Sequence, residues 1–196
     1  MTTKLIKFLV VPAVALSLSA CGINSVPTAE ENAKAKWADV ESTYQRRADL
    51  IPNLVETVKG FAAQESEVLT KVTEARAKAT SIQVNPGDLN NAGAMQNYTM
   101  AQDGLSQALS GMRVVVEKYP DLKSNQNYLA LQSQLEGTEN RINVARRDYN
   151  ESVRQYNTTI RTFPDIIGAK IIHGAEPMEP FASTTEGADE APEVSF

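Results

Sequence analysis

YLALQSQLEGTENRINVARRDYNESVRQYNTTIRTF, residues 128–163, is the stretch that decides the fold. Within it Tyr128, Leu131, Leu135, Thr138, Ile142, Ala145, Tyr149, Val153, Tyr156, Ile160 and Phe163 recur at alternating steps of three and four. Such a repeat stays on one side of a helix of 3.6 residues per turn, which is the pattern of a long helix burying a narrow seam. Ser124 or Asn125 supplies an oxygen for the first free N–H groups. Pro164 ends the pattern, because the residue before a proline is pushed out of the helical region. The result is a helix of roughly 38 residues, about 57 Å long.

Two further helical stretches lie upstream. The middle one carries Met95, Tyr98, Ala101, Leu105, Leu109, Met112, Val116 and Tyr119, follows Asn85-Pro86-Gly87 with Asp88 as cap, and ends at Pro120. The first carries Trp37, Val40, Tyr44, Ala48, Ile51, Val55, Val58, Ala62, Val68, Val72, Ala75 and Ala79. Pro52 interrupts it without shifting the apolar phase, so a kink is expected there rather than a break. Short connections near Ser81–Asp88 and Tyr119–Ser124 make successive helices antiparallel neighbours. The expected fold is all-α, an elongated antiparallel bundle of three long helices over residues 31–170, or four if the kink near Pro52 is counted. A short last turn, Pro164 to Ala169, can close one end with Ile166 and Ile167.

Outside the bundle the composition changes. Lys4 and Lys7 precede an apolar run from Phe8 to Leu18, the layout of a secretory signal peptide over residues 1–20. The run is about eleven residues, short of the roughly twenty that span a bilayer. Leu18-Ser19-Ala20-Cys21-Gly22 looks like a lipobox, with the lone cysteine of the chain at the position that receives acyl chains such as palmitate. Residues 21–30, rich in Asn, Ser, Pro and Thr, read as a lipidated tether. Residues 176–196 hold three prolines, six acidic residues and no basic one, and read as a disordered acidic tail.

The whole chain carries 19 Lys and Arg against 24 Asp and Glu, a formal charge of −5. Without Lys4 and Lys7 it is about −7, which argues against nucleic acid as a partner. It also assigns membrane contact to the anchor rather than to the surface. His173 is the only histidine, so no second imidazole or thiol exists for a metal site of the usual kind. A Ser-His-Asp arrangement would have to use His173, which stands near the start of the tail with no helix or strand expected to hold it, and no cofactor or enzymatic activity is expected. Tyr149-Asn150 and Tyr156-Asn157 repeat at seven residues, with the rings read as core. Asn143, Arg147, Asn150, Arg154, Asn157 and Arg161 form a polar stripe about 100 to 140° round from the seam. A solvated face is the bland reading. The sharper one is a partner-binding strip for acidic groups, since the arginine fork matches carboxylate and phosphate, with the acidic tail as one occupant.

Several motifs together resemble the LemA family of bacterial envelope proteins. Arg46-Arg47-Ala48-Asp49-Leu50-Ile51-Pro52-Asn53-Leu54-Val55 is similar to its signature around the first-helix proline, and Tyr119-Pro120-Asp121-Leu122-Lys123-Ser124-Asn125 to its second turn. Thr138-Glu139-Asn140-Arg141-Ile142, Ala145-Arg146, Tyr149-Asn150 and Tyr156-Asn157 closing on Phe163-Pro164 complete the pattern. The resemblance implies an antiparallel helical bundle outside the cytoplasm, with no catalytic residues to carry over. Family members commonly carry an N-terminal transmembrane helix; the lipobox departs from that. The expected role is a membrane-anchored, non-enzymatic envelope scaffold or adaptor acting on an unidentified envelope protein, linked by resemblance to envelope stress or membrane proteolysis. The alternative is a periplasmic binding module for an acidic ligand held by the Arg/Asn stripe. Gly22 after the cysteine points to the periplasmic face of the outer membrane in a host with two membranes.

Overall fold

The computed structural model describes the backbone of residues 2–181 and the side chains of residues 23–181. Cys21 and the chain beyond Phe181 therefore lie outside the described side chains. Four helices carry the architecture: α1 (Thr2–Lys59), α2 (Ser66–Ser81), α3 (Ala92–Val116) and, after the single turn α4 (Pro120–Lys123), α5 (Gln126–Thr159). A short α6 (Asp165–Gly168) and a π-helical turn (Ala169–His173) follow. Among the described residues there is no strand. The long helices pack as a bundle, α1 against α5 and α2, and α2 against α3.

The caps explain two of the boundaries. Asn125 accepts from the N–H groups of Asn127 and Tyr128 and starts α5, while Asn91, not Asp88, accepts from Ala94 and starts α3. At Pro52, where a kink was expected, the helix continues, and the first apolar stretch breaks at Gly60–Glu65. There Phe61 and Ala62 both return their N–H groups to the Val58 carbonyl, at 3.1 and 2.9 Å. Pro52 is exposed inside a helix that continues to Lys59. A proline frees the carbonyl four residues back, here that of Ala48, and Arg76 of α2 donates its Nε–H to that oxygen at 2.7 Å. The residue that breaks a helix in isolation is thus compensated by a side chain from its neighbour.

Residues 22–30, expected to be an unstructured tether, belong to α1. Val26 is fully buried, Ala29 packs against the core and Ala33 is fully buried. With Trp37, Val40 and Tyr44 these residues continue one seam at steps of three and four, so the seam begins earlier than the polar composition implied. Among the described residues no helix is long and apolar enough to cross a membrane.

The core divides into two clusters. One joins Trp37, Tyr44, Met95, Tyr98, Tyr149 and Tyr156 toward the early part of α1, and the other joins Ile51, Val58, Val72, Leu105, Met112 and Tyr128 toward the α1–α2 turn. Between them lies a polar layer built on Arg47, which is only 1% exposed. Its Nη1 donates to Ser106 Oγ at 2.8 Å and Glu139 Oε2 at 3.3 Å, and its Nη2 to the Gln102 carbonyl at 3.1 Å and Oε1 at 2.9 Å. The Gln102 amide in turn donates to the Ala79 carbonyl at the end of α2. One guanidinium thereby ties together four helices.

Candidate functional site

After the π-helical turn the chain reverses at Gly174, whose φ of 56° lies in the left-handed region where a Cβ is disfavoured. The Ala175 N–H closes this turn on the Ala169 carbonyl at 2.9 Å. The next six residues, Glu176-Pro177-Met178-Glu179-Pro180-Phe181, run back along α5. They are two copies of one tripeptide, Glu-Pro-apolar. Each proline fixes φ and has no N–H to leave unpaired, and the residue before it is held extended.

Each tripeptide is gripped by one Tyr-Asn pair of α5. Tyr156 donates its hydroxyl to the Glu176 carbonyl at 3.1 Å. Asn157 donates its amide to the Met178 carbonyl at 2.8 Å and accepts the Met178 N–H at 2.9 Å. Seven residues earlier the set repeats: Tyr149 donates to the Glu179 carbonyl at 2.9 Å, and Asn150 donates to and accepts from the Phe181 main chain at 3.1 and 2.7 Å. Seven helical residues rise about 10.5 Å, and three extended residues cover about 9 to 10 Å. That near match is why heptad-spaced side chains meet main-chain groups three residues apart. A further bond from the Glu179 N–H to the Leu89 carbonyl, 2.8 Å, fastens the other edge of the segment to the α2–α3 connection. Asn90 meanwhile donates to the Glu176 carboxylate at 2.7 Å.

The main-chain bonds set the register, and the apolar side chains of Met178 and Phe181 supply the buried contacts. Phe181, 5% exposed, stacks on Trp37 with centroids 5.9 Å apart and lies 6.2 to 6.4 Å from Tyr44, Tyr98 and Tyr149. The Arg146 guanidinium covers the ring at 4.7 Å. Trp37 is fixed from behind by donating its indole N–H to the Val84 carbonyl at 3.0 Å. Burial drives the Tyr98 and Tyr149 hydroxyls well above the ordinary phenol range, with the nearby Glu179 adding to the effect at Tyr149. Both hydroxyls therefore keep their protons at any physiological pH, and Tyr149 remains a donor to the segment.

The stripe read from the sequence divides by residue type. Asn150 and Asn157 hold the segment by their amides, while Arg147, Arg154 and Arg161 are exposed and Arg154 is forked onto Glu151. Asn143 is exposed as well. Residues 176–181 are thus packed, not disordered; Met178 and Phe181 contribute buried surface that the acidic composition concealed. The repeated Glu-Pro-apolar tripeptide, facing a repeated Tyr-Asn pair, was the sequence signal that points to this contact. Composition alone does not reveal it, nor does it reveal the cage of Trp37, Tyr44 and Tyr98. His173 sits exposed on the π-helical turn, and no group of three or more His, Cys, Asp or Glu able to hold a metal occurs among the described residues. A second cleft, about 230 Å³, opens at the other end of the bundle between Arg47, Leu54, Arg113, Tyr128 and Glu139.

Comparison with known proteins gives a consistent picture. The sequence profile of the LemA family matches residues 36–196. The chain is similar to magnetosome protein MamQ of Magnetospirillum gryphiswaldense, 28% identical over 159 residues that cover 72% of this chain and 58% of that protein. It is also similar to protein LemA of Metamycoplasma hominis, 24% identical over 127 residues that cover 63% of this chain and 52% of that protein. The chain thus spans little more than half the length of the curated relatives it matches.

Proposed function

Because the chain belongs to the LemA family, we propose that it is a membrane-associated protein of the cell envelope acting as a non-enzymatic adaptor that receives extended peptide segments. The observation that carries this reading is the groove between α1, α5 and the α2–α3 connection. It holds residues 176–181 mainly through main-chain bonds, with two apolar side chains buried. A site that binds main chain and two anchors accepts any segment with the same spacing, as extended peptides do when they add to a sheet edge. The ligand class is a Glu-Pro-apolar repeat or its near equivalent. Its own C-terminal segment is the resident occupant, and a partner's segment is the exchangeable one.

Anchoring by acyl chains on Cys21, after removal of residues 1–20, is part of the same proposal. Two or three chains hold durably where one holds marginally. Cys21→Ser should abolish both palmitate incorporation and membrane retention; unchanged incorporation would remove the lipid from the account. A tie to envelope stress or membrane proteolysis fits an adaptor and would be supplied by the partner. Capture of an acidic ligand by Arg147, Arg154 and Arg161 has less support, because Asn150 and Asn157 of that stripe are engaged with residues 181 and 178.

The adaptor reading is tested on the full chain carrying Met178→Ala and Phe181→Ala, with a synthetic peptide of residues 174–181 added in trans. Trp37 is the only tryptophan and stacks on Phe181, so its emission reports occupancy. The variant should emit to the red of the parent and return saturably with the peptide, but not with a peptide lacking Phe181. No return at any peptide concentration would mean that the groove only fastens its own tail.

A further inference from the structure

The end of the bundle where α1 meets α6 carries apolar side chains that the core does not use. Phe163 is 70% exposed, Ile167 52%, Ile171 79% and Ile172 57%. Ile167 on α6 and Ile171 on the π-helical turn are four residues apart on successive turns, and Phe163 lies in the bend just before α6, so the segment carries exposed apolar side chains along its length. This segment is also basic within an acidic protein. From Ile160 to Gly174 it holds Arg161, Lys170 and His173 against Asp165 alone, and Asp165 accepts the Ser25 hydroxyl of α1 at 2.5 Å. That bond fixes the segment beside the part of α1 where the described side chains begin, and Ile23 there is itself 43% exposed. Ala169 shares a core cluster with Val26, which fastens the π-helical turn to the same place.

The position decides what covers this surface. Ser25 lies four residues from Cys21 and seven from the end of the apolar run at Leu18, about 6 and 10 Å along a helix. Any hydrophobic attachment made by the N-terminal part of the chain brings a bilayer to this end and to no other. Isoleucines and a phenylalanine flanked by Lys and Arg suit the boundary between acyl chains and anionic headgroups, where an interfacial segment sits about 5 to 10 Å deep.

We propose that Phe163, Ile167, Ile171 and Ile172 form a membrane-facing foot that inserts into the headgroup boundary of a lipid bilayer, with Arg161 and Lys170 at the level of the lipid phosphates. This rests on the membrane association proposed above and departs from the expectation that the anchor alone makes contact. The foot holds the bundle upright on the membrane and presents the Trp37 groove at a fixed height.

The test uses the full chain in vesicles of phosphatidylethanolamine and phosphatidylglycerol containing lipids brominated near the top of the acyl chains. Phe163→Trp and Ile171→Trp report the foot. Val114→Trp, exposed at the opposite end, is the reference, and the buried Trp37 is a constant background. Quenching at 163 and 171 should exceed that at 114 by at least about threefold. Equal quenching at all three positions in chains that float with the vesicles overturns the foot and leaves the anchoring in place. Failure to float overturns both. A concentration-dependent dimer abolished by Ile171→Ser, without quenching, assigns the surface to a second copy and also overturns the foot.

Discussion

Asn150 and Asn157 do what few side chains can, donating and accepting from one planar amide at a reach that matches a peptide's own N–H and C=O. Aspartate has the same shape but only accepts, so Asn157→Asp would keep the bond from the Met178 N–H and set a negative oxygen against the Met178 carbonyl. The expected cost is about 1 to 3 kcal/mol, seen as roughly ten- to a hundredfold faster amide exchange at Met178. Exchange at the parent rate would mean that the amide clamp contributes nothing. Tyrosine at the preceding position has a different double role. Its ring lies in the core and its hydroxyl reaches the segment, so reading these rings as core identified half of their contacts.

At the scale of elements, Pro52 teaches the most. Its cost to α1 is one freed carbonyl, and the compensating donor, Arg76, lies on another helix. Arg76→Met should therefore destabilise the chain by about 1 to 3 kcal/mol. Most of that loss should vanish in a chain that also carries Pro52→Ala, where residue 52 supplies its own N–H to Ala48. Additive effects in such a double-mutant cycle, followed by urea unfolding, would show that the two residues are not coupled. The same pair marks the limit of legibility. The seam of α5 was readable because its signal is local and repeated over many turns, and the fold class followed from it. The continuation of α1 past Pro52 was readable from the unbroken apolar phase, but the donor that compensates the proline was not, since Arg76 lies on α2. The packed residues 176–181 were hidden for a similar reason, as their apolar anchors are only two residues among acids and prolines.

For the molecule as a whole, the buried tyrosines set an alkaline limit. Tyr44, Tyr98, Tyr149 and Tyr156 all have hydroxyls raised above the usual value of 10.0, chiefly by burial. Below that value both states keep the proton and stability is unaffected by pH through these groups. Above it the unfolded chain ionises first, so the unfolded state binds fewer protons and stability falls by as much as about 1.4 kcal/mol per pH unit for each such tyrosine. The denaturant midpoint should thus drop steeply from about pH 10 upward, with tyrosinate absorbance for these groups appearing together with unfolding. A midpoint flat to pH 12 would contradict their placement. The Arg47 layer governs a different property, the alignment of the helices along one another. Heptad seams alone permit sliding by seven residues. A slip of α5 in one direction replaces Glu139 by Arg146 opposite Arg47, setting two cations together. A slip of α3 replaces Gln102 by Met95 or Leu109 and takes the Oε1 acceptor from the buried guanidinium, a cost of about 1 to 3 kcal/mol. The layer is therefore a key in a joint: it favours one alignment of the bundle, and with it one spacing between Trp37 and Tyr44 on α1 and the Tyr-Asn pairs on α5.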